Sequence, residues 1–299
     1  MKVTGRALVT GVRGFTGQYV AVELVEAGFE VFGIGAAPAD SDKHYFQADL
    51  GDTDSLKRVM ALVRPNVVVH LAAKAFVAHN DVNSFYQVNL IGTRNLLESL
   101  AALDSPPECV LLASSANVYG NTAGGMLSEA MPANPANDYA VSKLAMEQMA
   151  RLWLPKLPLV ITRPFNYTGV GQSKDFVIAK IVDHFRRRAE IIELGNLDVW
   201  REFNDVRAVA KAYRCLLAVR PIGETVNVCS GATHSLREVI NLAQELTRHQ
   251  IQVKVNPAFV RANEVHSLCG DPALLRGLIG EWQTPPLEDT LRWMLGEQC

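Results

Sequence analysis

Short apolar runs recur through the first half of the chain, and between them apolar residues repeat at helical spacing. Ala7-Leu8-Val9-Thr10 reads as a buried strand. From Gly17 to Ala27 the apolar positions fall three and four apart, which predicts a helix, and Gly28 stands where a C′ residue would end it. Val31 to Ile34 predicts a second strand. A helix opens at Asp54-Ser55-Leu56 and stops near Arg64-Pro65, and Asn66-Val67-Val68-Val69-His70 follows as a third strand. A helix over about Ser84 to Leu103, a strand at Cys109 to Ala113, a helix from Tyr139 to Trp153 and a fifth strand at Leu159 to Thr162 continue the alternation.

Strand and helix in strict alternation predict an α/β fold, a Rossmann-type doubly wound parallel sheet with helices on both faces. Ligands of such a sheet bind at the carboxyl ends of its strands. After Arg163-Pro164 the pattern loosens, with Pro221 and the pair Pro285-Pro286 marking loops. That region predicts a smaller C-terminal α/β substrate-binding domain interleaved with the sheet. The expected division is 1–163 plus about 199–229 for the dinucleotide-binding part, and about 164–198 with 230–299 for the smaller part. No internal repeat or low-complexity segment interrupts this.

Composition narrows the function. Of 299 residues 48% are hydrophobic and 20% charged, and 29 Lys plus Arg against 31 Asp plus Glu leave a net charge of -2. This balance gives no nucleic-acid surface, and Arg186-Arg187-Arg188 is the only basic run. No apolar run reaches the roughly 18 residues of a spanning helix. Met1 to Arg6 leads into a strand rather than a secretory segment, so a soluble, cytoplasmic protein is expected with no membrane partner. Five cysteines without CxxC spacing and seven histidines without ligand spacing argue against disulfides and a metal centre.

The chemistry begins after the first strand. In Thr10-Gly11-Val12-Arg13-Gly14-Phe15-Thr16-Gly17 the glycines recur every third residue between a strand and a helix. Such a loop permits a tight turn, close approach to a pyrophosphate and tight helix packing, the fingerprint of a dinucleotide site. An acid ending the second strand would favour NAD, but Ile34 is followed by Gly35-Ala36-Ala37, with no carboxylate before Asp40. Arg13 or Lys43 could draw a 2′-phosphate, so NADP(H) is favoured and NAD(H) remains open. Further along, Tyr139-Ala140-Val141-Ser142-Lys143 sets a phenol and an ammonium on one helical face. The cation is expected to lower the phenol's pKa for proton transfer. Ser114-Ser115 ends the fourth strand, where a hydroxyl could polarise a carbonyl.

These segments, with Asp49-Leu50, His70 to Ala73 and Asn89 to Glu98, resemble the extended short-chain dehydrogenase/reductases that act on nucleotide sugars, over nearly the whole chain. The resemblance implies that Ser115, Tyr139 and Lys143 form the catalytic triad and that Lys143 also holds the nicotinamide ribose. It implies cofactor contacts from Gly11, Arg13, Gly14, Phe15, Thr16, Gly17, Asp49, Leu50, Leu71, Ala72, Ala73 and Asn89. It further implies a homodimer, built on the helices from Ser84 and Tyr139.

The second half resembles the GDP-mannose 4,6-dehydratase branch, in Arg163 to Asn166, Phe176 to Lys180, Leu194 to Phe203 and Arg261 to Val265. That resemblance implies that Arg201 and Arg261 clamp a diphosphate, Glu264 holds a ribose, and Ser115, Asn117, Asn166, Val177 and Lys180 meet the substrate. Planar guanidinium forks suit diphosphate oxygens, the alternative for each arginine read singly being a surface ion pair. One departure bears on the reaction. A dehydratase needs an acid two residues after its catalytic hydroxyl to expel water from C6, and Asn117 stands there. An amide cannot supply that step. The expectation is therefore an NAD(P)H-dependent reduction of the C4 keto group of GDP-4-keto-6-deoxy-D-mannose to GDP-D-rhamnose, as in the reductases of this branch. A reductase forming GDP-6-deoxy-D-talose, or a 4-epimerase that retains NAD, are the alternatives.

Overall fold

The computed structural model describes residues 5–39, 41–75, 81–121, 125–259 and 266–296. The chain opens with β1 (Gly5–Thr10), α1 (Phe15–Glu26), β2 (Phe29–Gly35), β3 (Tyr45–Gln47), α2 (Thr53–Val63) and β4 (Val67–His70). A helix then starts as α3 (Asn83–Phe85), widens into a π-helix over Tyr86–Gly92, and continues as α4 (Thr93–Ala101). Next come β5 (Cys109–Ala113), a 3-10 turn at Ala116–Tyr119, β6 (Met126–Leu127), α5 (Asp138–Arg151) and β7 (Leu159–Pro164).

Beyond it the elements shorten: β8 (Tyr167–Thr168), α6 (Val177–Arg186), β9 (Ile191–Leu194), β10 (Trp200–Arg201), β11 (Asn204–Asp205), α7 (Val206–Val219) and β12 (Thr225–Val228). The rest comprises β13 (His234–Ser235), α8 (Leu236–Thr247), β14 (Gln252–Val255), β15 (Ser267–Gly270), α9 (Ala273–Ile279) and α10 (Leu287–Leu295).

Seven strands form one parallel sheet in the order β12-β7-β5-β4-β1-β2-β3. Its inner strands are apolar throughout because helices cover both faces: Val67 to Val69 and Cys109 to Leu112 are all buried. Burying each such side chain contributes about 1.5–3 kcal/mol. One face packs under α1, α7 and α9, with Leu24, Val209, Leu216 and Leu275 at its centre. The other packs under α2, α4 and α5, through Met60, Leu96, Leu100 and Met146. A separate cluster joins α6, α8 and α10 around Ile181, Phe185, Val239 and Leu291. Caps fix the helix starts: the Asp52 carboxylate accepts from Ser55 N ahead of α2, and the Asn137 side chain accepts from Ala140 N ahead of α5.

All five strands expected from the sequence are present, and β3 and β12 extend the sheet at its two edges. The helix expected at Ser84 to Leu103 is interrupted by the π turn. There the Asn89 carbonyl accepts the Thr93 hydroxyl at 2.7 Å, so a side chain joins the backbone ladder where the helix widens. The chain winds outward in both directions from β1 and β4. Their carboxyl ends thus form the switch point where such a sheet opens a crevice.

Candidate active site

At the switch point β1 hands over to the glycine loop. Gly11 takes φ +71°, a conformation that side chains resist, and Gly14 is the N-cap of α1 with no side chain capping it. A Cβ on Gly17 would lie 2.2 Å from the Gly11 carbonyl oxygen and 2.7 Å from Val12 Cα, so glycine alone lets α1 lie this close. The Thr10 hydroxyl accepts from Leu71 N and Ala72 N at 3.2 and 3.1 Å, fastening the loop after β4 beside the glycine turn. His70 bridges beneath them, Nδ1 to the Thr10 hydroxyl at 2.7 Å and Nε2 to the Thr93 hydroxyl at 2.8 Å. Burial, and then the charge of Lys143, push its pKa down to about 3, so it is a neutral structural bridge. An uncapped helix start over a glycine turn, with Leu71, Ala72 and Ala73 alongside, fits a dinucleotide pyrophosphate.

Other expected cofactor residues differ in character. Asp49 is exposed, with its carboxylate accepting from Gly51 N, while Leu50 is buried below it. Arg13 reaches the loop after β2, where its guanidinium lies 3.5 Å from the centre of the Tyr45 ring and donates to the Pro38 carbonyl. Lys43 sits in an exposed turn ahead of β3. The Asn89 side chain is buried, donates to Lys74 O and the Ser142 hydroxyl, and accepts from Lys74 N at 2.9 Å. It therefore ties the loop after β4 to α5.

The expected triad comes together at the ends of β5 and α5. Ser115 opens the 3-10 turn, its hydroxyl accepting from Asn117 N at 3.2 Å, and it lies close enough to the Tyr139 phenol to lower its pKa. Lys143 donates through Nζ to the Ala113 carbonyl at 2.8 Å. Both Tyr139 and Lys143 are buried, and Phe85 packs edge-on against Tyr139. The expected lowering of the phenol by the lysine does not occur. Burial pushes Tyr139 up to about 12, and the group that pulls it down is Ser115. Burial pulls Lys143 down to about 8, with Glu147 acting against it. Desolvation is the largest cause for both groups, because burial disfavours the charged form of each.

The expected substrate residues lie on the adjoining segments. Asn117 is half-buried in the 3-10 turn, and Asn166 follows β7, its carbonyl accepting from Asn204 N. Val177 starts α6, one turn before Lys180, which donates to the Glu193 carbonyl at 2.7 Å and sits over the Phe259 ring. Arg201 is half-buried on β10 and donates to the Trp200 carbonyl. Arg261 and Glu264 lie outside the described residues. Among the described residues no group of three or more His, Cys, Asp or Glu is arranged to hold a metal ion, and no helix is long and apolar enough to cross a membrane.

Sequence reasoning passed over three groups. Tyr167, half-buried after β7, hydrogen-bonds the Thr16 hydroxyl at 2.8 Å and stacks on Phe15, and its phenol is near enough to raise that of Tyr139. Glu202 is buried next to Arg201 and accepts from Gly270 N, Ser230 N, the Ser230 hydroxyl and Asn204 Nδ2. Glu147 and Arg163 form a fully formed ion pair under the triad. Glu147 lies one turn beyond Lys143, and that extension of the Tyr-Lys face was the available signal.

The sequence profile of the family described as GDP-mannose 4,6 dehydratase matches residues 8–294. A GDP-6-deoxy-D-talose 4-dehydrogenase of Aggregatibacter actinomycetemcomitans is 35% identical over 276 residues, 92% of this chain and 91% of that protein. A GDP-6-deoxy-D-mannose reductase of Pseudomonas aeruginosa is 33% identical over 306 residues, 99% and 97% of the two chains. Among solved structures, a protein of Burkholderia cenocepacia J2315 described provisionally as an epimerase shares 48% identity with a TM-score of 0.93, over 99% of this chain and 98% of that one. RMD from Pseudomonas aeruginosa, complexed with NADPH, shares 32% identity with a TM-score of 0.86, over 98% of each chain.

Proposed function

The chain belongs to the GDP-mannose 4,6-dehydratase family of extended short-chain dehydrogenase/reductases, and from that premise we propose that it reduces the C4 keto group of GDP-4-keto-6-deoxy-D-mannose to give GDP-D-rhamnose, with NADPH. The observation that carries this reading is Asn117. It occupies the turn built on Ser115, where elimination of water from C6 would need a carboxylate. The side chains that carbonyl reduction needs are nevertheless complete: a hydroxyl, a buried phenol and a buried ammonium. Kinship with a GDP-6-deoxy-D-mannose reductase, and with RMD in its NADPH complex, supports the same assignment.

The glycine loop would hold the pyrophosphate, Leu71 to Ala73 the middle of the cofactor, Asp49 and Leu50 the adenine, and Lys143 the nicotinamide ribose. Arg13, turned toward the loop that follows β2, is suited to a 2′-phosphate, and no carboxylate on Gly35-Ala36-Ala37 would repel one. When bound, the reduced cofactor supplies the hydride. Tyr139 donates its phenolic proton to the O4 oxygen, Ser115 hydrogen-bonds the developing alkoxide, and Lys143 stabilises the phenolate left behind. The high pKa of Tyr139 suits an acid, since the phenol keeps its proton until O4 gains charge.

A second reading has a specific observation behind it: the talose-forming direction is represented by the relative at 35% identity. Reduction to the opposite C4 configuration would use the same residues. NMR of the purified product separates the two, through the coupling of its C4 proton. Incubation with GDP-mannose and NADP⁺ supplies the complementary test, in which no 4-keto sugar is expected. Formation of the keto sugar would overturn the role given to Asn117. NAD retained through purification, with C4 inversion and no net oxidation of cofactor, would favour an epimerase instead.

A further inference from the structure

Three successive residues at the end of β5 each interact with one of three residues spaced four apart on α5. The Ala113 carbonyl accepts Lys143 Nζ, the Ser114 hydroxyl donates to Glu147 Oε1 at 2.6 Å, and Ser115 lies close enough to the Tyr139 phenol to lower its pKa. Spacing of four puts Tyr139, Lys143 and Glu147 on one helical face, and all three are buried. Glu147 is gripped further by Arg163 at the end of β7, Nε to Oε1 at 2.9 Å and Nη2 to Oε2 at 2.7 Å. Arg163 in turn donates through Nη1 to the Tyr119 hydroxyl at 3.0 Å, on the same turn that carries Asn117. One carboxylate thus joins α5, the ends of β5 and β7, and the 3-10 turn, which are the pieces that bear Ser115, Asn117, Tyr139 and Lys143.

The chemistry described above makes no use of Glu147 itself. A buried ion pair is also a poor device for stability alone, since apolar residues of similar size often replace one without loss. We propose that Glu147 is a positioning residue: with Ser114 and Arg163 it sets α5, and with it Tyr139 and Lys143, against the ends of the catalytic strands. The proposal rests on the reading of Tyr139 and Lys143 as the catalytic pair. Lys143 donates to the Ala113 carbonyl on β5, and the titratable groups that interact with it are Glu147 on its own helix and neutral His70 on β4, while Arg163 on β7 is paired with Glu147. Burial lowers the ammonium's pKa to about 8, and Glu147 is the group that raises it. Removing that charge leaves burial unopposed, so Lys143 should lose its proton at lower pH.

Two variants test this. Glu147→Gln keeps the shape and a partner for Ser114 but leaves Arg163 without a counter-charge. Glu147→Gln combined with Arg163→Met removes both charges and reports even where the single variant does not fold. Carbon-13 NMR of the lysine-labelled, cofactor-free protein reads the protonation of Lys143 directly, with its signal assigned by loss in Lys143→Met. The expected titration lies near 8 in the parent protein. It should fall by about one pH unit in the double variant, a tenfold loss of charged lysine above the midpoint. The alkaline limb of kcat/KM for GDP-4-keto-6-deoxy-mannose, with NADPH as reductant, should move in the same direction. A folded double variant whose Lys143 titrates as in the parent overturns the proposal, and so does a double variant that cannot fold. A displaced titration in a protein that turns over no keto sugar would support the positioning role and count against the reductase reading.

Discussion

Burial acts in opposite directions on Tyr139 and Lys143, raising the phenol and lowering the ammonium. The proton donor is therefore secure at neutral pH, and the ammonium is the group exposed to a change of pH. The rate of reduction at low substrate should fall as pH rises through about 8, where Lys143 gives up its proton, and a pH profile of kcat/KM reads this in the free enzyme. Replacing Tyr139 with Phe removes the proton donor and should lower kcat by about 10²–10⁴-fold, while NADPH affinity, followed by fluorescence titration, changes little. His70 supplies a test on stability. Its folded pKa is depressed from 6.5 to about 3, so the unfolded chain binds the proton more readily. The stability it contributes is complete above pH 6.5 and drains away as pH falls toward about 3, by up to about 1.4 kcal/mol per unit. Urea unfolding of His70→Gln should show a shallower acid slope than the parent.

The Tyr-Lys spacing and the serine at a strand end were legible because helical and strand periods bring those residues to one place before any tertiary structure is considered. What that local reading could not carry was desolvation, which depends on what the rest of the chain lays over α5. The expected direction of the Tyr139 shift was therefore wrong, although the residue itself lies beside Ser115 as expected. Nor could a local reading show that the Asn89 amide, on the π turn, ties Lys74 to Ser142.

At the scale of elements, the glycine turn and the π turn do complementary work, one opening space at the switch point and the other pinning the loop across from it. Gly17→Ala would drive a methyl group to 2.2 Å from the Gly11 carbonyl and displace the turn. Binding of NADPH should weaken by about tenfold or more, a loss of at least about 1.4 kcal/mol visible by calorimetry. Asn89→Ala leaves the Lys74 N–H and carbonyl without their partner, and should destabilise the protein by about 1–3 kcal/mol in thermal unfolding. The alternation of strand and helix predicted the core of the sheet because its strands are apolar on both faces. The edge strands were not visible in that way. β3 is three residues long, and β12 carries Asn227 between two valines and follows a long excursion of the chain.

For the molecule as a whole, the sheet opens a crevice at the ends of β1 and β4, and the segments after β7 carry Asn166, Lys180 and Arg201, the residues proposed to meet the sugar nucleotide. The helices around Ile91 and Val141 leave those two side chains more than a third exposed. A second copy of the chain is the occupant expected there, and sedimentation equilibrium should return twice 32.8 kDa. A monomer at micromolar concentration would contradict the dimer without touching the chemistry. On the proposed function, this site reduces a C4 ketone and does not dehydrate. The most direct measurement mixes the purified protein with NADPH and GDP-4-keto-6-deoxy-mannose and follows the reduced-nicotinamide absorbance. Loss of one NADPH per sugar, faster than with NADH, is the result expected here. An unchanged signal from folded protein that binds NADPH would contradict the account.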